Sequence, residues 1–583
     1  MNALTRAISR LDGGVVRLWD GLDRALVLRL SIWLGPVLAG LVSMSLGQDA
    51  NWDLRNYHWY NPYAFLNGKI GFDLNPGQFQ SYFNPTIDLL YYGLATHFPT
   101  RVTAFAMGYL HGLNYVLLLM ITRQVLRAGE PAAAGAAPYR LPLMLALAGC
   151  AGFSFLSQLG NTMGDNLTSL TVLGAIALLL RQWPQLLAGG ARGAIAAALA
   201  GLVIGAGTGL KLTNANYALA LCLALLTLRG SLWLRFSTAF VFGLGTLAGI
   251  GATAGHWYWL MWKTFGNPLF PQFNNIFKGP LAAQISVADM GWVPKDWTEF
   301  LLWPFIFTFN PRRVIELPMT QILWPIVYIA FIAFIAQRLR RLWLAAPAAP
   351  AASAATGADA PGARLLLVFF ALSYVIWIKL FGIYRYLVPL ELLAPLVLWL
   401  LLHRLCAPST ARVIGATCVL LAVIAGLPRV NWGHHYHGEK SVTAQVPVFA
   451  DPEQSMVFTV HGDPPMSWLI PNFPARLAFA ALGSGFPESP EFAARVGRMV
   501  AARKGPLYVM LTANGLAAGP RQGAAAPDAD TAARQQRVAE AGQAILKRYG
   551  LTFNEASCIV YDAGFGGSRN SDPYQLCEVG HLP

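Results

Sequence analysis

Charge is what this sequence lacks most. Only 12% of its 583 residues are Asp, Glu, Lys or Arg, about half the roughly 25% of a soluble globular chain. A chain this long cannot cover a water-facing surface with so few charges, which argues against a soluble globular protein. Acids are scarcer than bases, 28 against 42, for a formal net charge of +14. The Arg residues sit in short connections between apolar runs, not along one exposed helix or strand. That distribution argues against a nucleic-acid partner and for cytoplasmic anchoring by positive charge. The six cysteines form no CxxC, so a zinc ribbon has no support. A Walker loop, a GxGxxG opening a helix and HExxH are all missing, and nucleotide and zincin chemistry go with them. The alternating pattern of a membrane β-barrel is missing too.

Long apolar runs are present instead. The chain is 55% hydrophobic, with a mean hydropathy of +0.46. A bilayer core needs roughly 20 apolar residues per helix, and inside lipid the backbone must satisfy itself. Eleven runs suit spans: 26–46, 103–123, 141–158, 165–181, 194–210, 212–229, 236–260, 318–337, 365–381, 386–404 and 410–427. Arg6, Arg10, Arg17, Arg24 and Arg29 precede or open the first run with no small-residue cleavage site after it. The N-terminus is therefore expected in the cytoplasm, behind an uncleaved anchor. Alternation then puts 124–140, 181–193, 229–235, 338–364 and 404–410 in the cytoplasm, and each carries Arg, as the charge rule requires. Residues 344–363, rich in Ala, Pro and Gly, read as a flexible linker. An odd number of spans places the C-terminus across the membrane, so 47–102, 261–317 and 428–583 face the periplasm of a bacterial inner membrane. Arg312 and Arg313 strain this assignment; 300–309 is too short to span and reads as an interfacial helix.

The chain thus divides into a membrane module, 1–429, and a C-terminal region, 430–583. In the latter, β-like runs (Met456–Val460, Leu507–Leu511, Cys558–Tyr561) alternate with helical stretches (Pro490–Arg503, Ala532–Tyr549), the pattern of a small α/β domain. In an oxidising compartment Cys558 and Cys577 are expected to close a loop of about 20 residues. Cys150, Cys222, Cys406 and Cys418 lie in or beside apolar spans and read as packing residues.

Polar residues gather in the first outer loop. It combines Asp49, Asp53, Asp73 and Asp88 with Trp52, Tyr57, Trp59, Tyr60 and Tyr63, and adds Arg55, Asn56 and His58. Aromatic faces stack on sugar C–H faces, and they also settle at lipid interfaces; the polar side chains packed among the rings favour a binding role. Asp165 and Asn166 open a helix in GDNLTSL, where Asp also suits a cap. Lys211 and Arg385 stand at span ends on the same predicted side as Asp53. They suit either snorkelling to headgroups or anion binding. The loop 263–299 reads as ordered and interfacial. His434, His435 and His437 form HHYH, which reads as a solvated loop ahead of a metal site.

These residues resemble, in type and order, the GT-C superfamily of integral membrane glycosyltransferases, which includes protein mannosyltransferases and aminoarabinose transferases. In that family a carboxylate follows the first membrane helix, then an aromatic, then Ala, Leu and Gly at helical spacing; here that looks like Asp53, Tyr60, Ala64, Leu66 and Gly68. GDNLTSL, GLKLTNA, GNPLFPQFN and YRYLVPLEL are similar in style, so the likeness covers most of 26–427. No second acid directly follows Asp53, which leaves Asp49 as a rival. The resemblance implies transfer of a sugar from a polyprenyl-phosphate carrier to an acceptor hydroxyl of a glycan, lipid or protein, on the outer face, with inversion. Lys211 and Arg385 are then candidates for the donor phosphate, Asp53 or Asp49 for the general base, and Asp165, Asn166, Arg55, Tyr57, His58, Trp59 and Tyr60 for sugar or acceptor contacts. No cofactor is required; a divalent cation, Mg or Mn, is compatible, and no metal ligands are assigned. A transporter or flippase for a lipid-linked sugar is the alternative. The sequence shows no internal repeat, and its charges cluster at one face.

Overall fold

The computed structural model describes residues 21–127, 139–287, 289–343, 361–427, 431–460, 465–483, 485–522, 526–566 and 571–582. Arg6, Arg10 and Arg17, and the linker assigned to 344–363 up to residue 360, lie outside the described residues.

Among the described residues eight helices are long and apolar enough to cross a membrane: Ala25–Leu46, Thr100–Leu126, Gly190–Leu210, Leu232–Phe265, Leu323–Trp343, Gly362–Leu380, Tyr384–Leu405 and Pro408–Gly426. The sequence suggested eleven. Of the other three runs, two break for local reasons and one falls short of the length a span needs. Run 141–158 breaks into Arg140–Cys150 and Phe153–Ser157 around Gly152. Run 165–181 makes a 17-residue helix, Asp165–Arg181. Run 212–229 gives Ala215–Leu225 behind a 3-10 turn at Leu212–Asn214. Residues Trp297–Phe309 form a separate 13-residue helix, whose Glu299 receives Arg313 at 2.8 Å; this ion pair gives Arg313 a partner.

Helix Val388–Leu405 is the central post of the bundle, buried along nearly all its length. It packs against Leu323–Trp343, Arg140–Cys150 and Pro408–Gly426. The outer helices keep apolar faces open, with Trp33 72%, Trp233 81%, Phe240 66% and Leu247 67% exposed. Water would not tolerate such a sheath; lipid would. Gly190–Leu210 and Leu232–Phe265 meet through two small-residue pairs. A Cβ on Gly201 or Gly205 would lie 2.1 Å from the carbonyl oxygen of Phe242 or Thr246, and one on Gly245 or Gly249 would be 2.2 Å from that of Ala198 or Leu202. Such glycines let backbones touch where no hydrophobic force separates helix from lipid.

The C-terminal region carries a seven-stranded sheet. In it β4 (Met456–Val460), β5 (Ala478–Leu482) and β6 (Leu507–Thr512) run parallel in the order β5-β4-β6. Then β11 (Tyr574–His581) pairs antiparallel with β6, β8 (Leu551–Phe553) and β9 (Ile559–Tyr561), and β7 (Gly519–Pro520) closes on β9. Helices Pro490–Ala501 and Ala529–Lys547 start at Ser489 and Asp528, whose side chains accept from Phe492 N–H and Thr531 N–H, as N-caps do. A disulfide joins Cys558 to Cys577, with 4.1 Å between the Cα atoms.

This region is fastened to the first loop. Leu74 bridges β5, donating to Phe479 O at 2.8 Å and accepting from Ala481 N–H at 2.9 Å. Strand β1 (Gln48–Asp49) pairs with β2 (His434–His435), and β3 (Val442–Ala444) pairs antiparallel with β10 (Ala563–Phe565). Trp59, Tyr60 and Tyr63 share one buried cluster with Val457, Trp468 and Phe473.

Candidate functional site

Four chain segments converge at one end of the bundle. The first follows Asp53, where the backbone makes a single π turn, Leu54–His58, closed by Trp59 N–H on Leu54 O at 3.2 Å. In an α-helix five residues advance roughly 500°, leaving Asp53 and His58 about 140° apart. A turn that closes between i and i+5 brings them to one side. The second segment is the 3-10 turn Tyr384–Leu387 at the head of the central post, which presents Arg385. The third is Lys211, in extended conformation at the end of Gly190–Leu210. The fourth is the start of Asp165–Arg181, entered through Gly164 at φ 81°, a left-handed conformation that favours glycine.

The side chains of these segments pair. The Arg385 guanidinium donates to the Asp53 carboxylate. Lys211 Nζ lies 2.6 Å from Asp165 Oδ1 and 2.6 Å from Met163 O. Both cations stand over the Tyr386 ring, at 5.0 Å for Lys211 and 5.4 Å for Arg385. The Tyr386 carbonyl in turn accepts from the Tyr217 hydroxyl. His58 Nδ1 lies 2.7 Å from Asp88 Oδ1, in an oblique contact short of an ideal hydrogen bond. Asp165 does not cap its helix, because that position belongs to Gly164; its Oδ2 is buried without a partner, as are both amide atoms of Asn56 and Nε2 of His58. Orphaned buried polar atoms are rare and costly, and here several gather at one place.

Electrostatics shows that the pairs sense one another. Burial pushes the Asp53 carboxyl up, but Arg385, His58 and Lys211 outweigh it and hold it below its ordinary value. At Asp88 burial wins: its carboxyl is raised despite His58 and Lys211, with Asp53 adding to the rise.

Other residues proposed from sequence do other work. Asp49 is buried and spent, accepting from Asn51 N–H (3.0 Å), Asn51 Nδ2 (2.6 Å), and Thr162 N–H and Oγ1 (both 2.7 Å). Those bonds saturate its oxygens, so Asp53 is the acid that enters the cluster. Arg55 turns to the C-terminal region, 2.7 Å from Asp572 and 5.1 Å over the Phe565 ring. Trp59 packs on Tyr92 and Phe565. Tyr60 donates to Asp73 Oδ2 at 2.8 Å. Asn166 donates to Phe155 O at 2.8 Å. Tyr57 stays beside the site, its ring 4.0 Å from that of His58. His434 and His437 hold the backbone at Leu159 O (3.0 Å) and Met44 O (2.8 Å). No set of three potential metal ligands occurs among the described residues. Sequence reading gave no role to Asp88 or Tyr386. For Tyr386 a signal existed: it flanks Arg385 in Tyr-Arg-Tyr. Asp88, one of the first-loop acids, comes from a separate turn 30 residues after His58, with nothing local to pair the two.

No protein-family model and no curated protein matches the chain.

Proposed function

We propose that the protein is a membrane glycosyltransferase of the GT-C kind, moving a sugar from a polyprenyl-phosphate carrier to an acceptor hydroxyl at the outer face of a bacterial inner membrane. The observation that carries this reading is the meeting of Arg385 and Lys211 with Asp53 and Asp165 in one half-dry cluster at the end of the apolar helices. A departing phosphate develops negative charge, and fixed cations in a water-poor site stabilise it far more than they would in water. Asp53 and Asp165 hold those cations in place before the donor arrives. The side chains of Arg385 and Lys211 keep 16% exposure each, enough to be reached. Aromatic rings of Tyr57 and Tyr386 flank the cluster, as sugar C–H faces require. The C-terminal region, fastened on the first loop, covers the site from outside, and the acceptor is a glycan, a lipid or a protein.

Purified protein in nanodiscs, given radiolabelled polyprenyl-phosphate sugars and candidate acceptors, tests this directly. Transfer that falls at least tenfold in Lys211→Gln and Arg385→Gln, with weaker binding of the polyprenyl phosphate, supports it. Binding and transfer unchanged in both variants exclude it. Movement of the lipid across the bilayer without transfer points to a flippase instead.

A further inference from the structure

We infer that His58, oriented by Asp88, is the group that takes the proton from the attacking acceptor hydroxyl; this rests on the glycosyl-transfer reading above. Asp53 was the base suggested by the sequence. In the structure its carboxylate is already engaged by the Arg385 guanidinium, and a carboxylate committed to a cation is a poor proton acceptor. His58 is differently placed. The π turn after Asp53 carries it to the same side as that carboxylate. Asp88, on a separate segment, approaches Nδ1 at 2.7 Å, so a proton taken from the acceptor goes to Nε2. That Nε2 is buried and meets no protein partner, in a residue only 4% exposed. An imidazole set beside a carboxylate at one nitrogen, with the other unpartnered, is the arrangement of a general base. Asp53 and Asp88 interact with it through charge, the Tyr57 ring lies against it, and Arg385 and Lys211 act on Asp53 beyond.

The acceptor O–H bond breaks and its proton goes to His58 Nε2, giving an imidazolium opposite Asp88. The freed oxygen pair forms the bond to the anomeric carbon. The bond from that carbon to the phosphate oxygen breaks, and its electron pair leaves with the phosphate, facing Arg385 and Lys211. Asp53 acts through Arg385, as a positioning residue.

The test is the pH profile of transfer by the full-length protein in nanodiscs at saturating donor lipid. The wild-type rate is expected to fall at acid pH, the limb of a general base that must be unprotonated to act. His58→Gln should lower kcat by about 10²–10⁴-fold, leave polyprenyl-phosphate binding within threefold, and abolish the acid limb. Asp88→Asn, which removes the carboxylate beside Nδ1, should lower kcat at least tenfold and leave polyprenyl-phosphate binding within threefold. An acid limb that survives in His58→Gln and vanishes in Asp53→Asn would overturn the inference and return the role to Asp53. Should His58→Gln lose lipid binding through misfolding, Asp88→Asn decides: an unchanged kcat there overturns the inference. An inactive wild type that binds no polyprenyl phosphate counts against the glycosyl-transfer reading itself.

Discussion

Replacing Lys69 by Met probes how the first loop is locked to the C-terminal sheet. Lys69 and Asp73 are each 3% exposed, with Nζ 3.2 Å from Oδ1. Nζ also donates to the carbonyls of Ala475 and Leu477 at 3.0 and 2.8 Å, while Asp73 accepts from Tyr60 and from Phe479 N–H at 3.0 Å. Burial pushes the Asp73 carboxyl up to about 6, with Lys69 opposing, from an ordinary 3.8. The unfolded chain therefore loses this proton near pH 4 and the folded chain only near pH 6. Its contribution to stability is complete below pH 4 and is lost as pH rises to 6, by about 3 kcal/mol at roughly 1.4 kcal/mol per unit. Without Lys69 the folded carboxyl titrates higher still, so the loss continues past pH 6. At pH 5, where Asp73 keeps its proton in both proteins, Lys69→Met should cost only the two lost carbonyl bonds, about 1–3 kcal/mol. At pH 8, two units above 6, it should cost up to about 3 kcal/mol more. Thermal unfolding in detergent at the two pH values measures the difference, with protease resistance of the C-terminal region as a second readout. The same destabilisation at pH 5 and pH 8 would refute the reasoning.

Other outcomes follow from the packing. Asp49→Ala strips partners from Asn51 and Thr162 and should cost about 3–5 kcal/mol, read as a lowered Tm with correspondingly less folded protein. Replacing Cys558 and Cys577 by Ser opens a loop of sequence separation 19 and should cost about 3 kcal/mol by loop entropy; reductant should shift the wild-type Tm but leave that of the double variant unmoved. Gly205→Val drives a side chain into Thr246 O and should part the two helices, lowering the Tm and disturbing Lys211 at the helix end. A Tm equal to wild type would show that the crossing tolerates the bulk.

The membrane class, and the strands and helices of the C-terminal region, could be read along the chain because each rests on local properties: apolar length, hydropathy period, caps. Asp53, Lys211, Arg385 and Asp165 could be singled out one by one as polar residues at the ends of apolar runs. The number of long helices was less legible, since Gly152 and the 3-10 turn at Leu212–Asn214 shorten runs whose composition alone would span. The roles inside the first loop were less legible again. Asp49 and Asp53 are chemically alike and four residues apart, yet Thr162 saturates one while Arg385 pairs with the other. Tyr60 and Arg55 look like sugar contacts in the sequence and turn out to hold Asp73 and Asp572.

The sequence by itself determined that this chain is a bundle of apolar helices with polar residues at their ends and an α/β region behind them, because hydrophobic length and period are properties of neighbours in the chain. Tertiary structure alone decided which charge meets which. Partners such as Asp53 and Arg385 are more than three hundred residues apart. The π turn that brings His58 to the side of Asp53, and the separate turn that offers Asp88, depend on how segments pack and leave no trace in local composition.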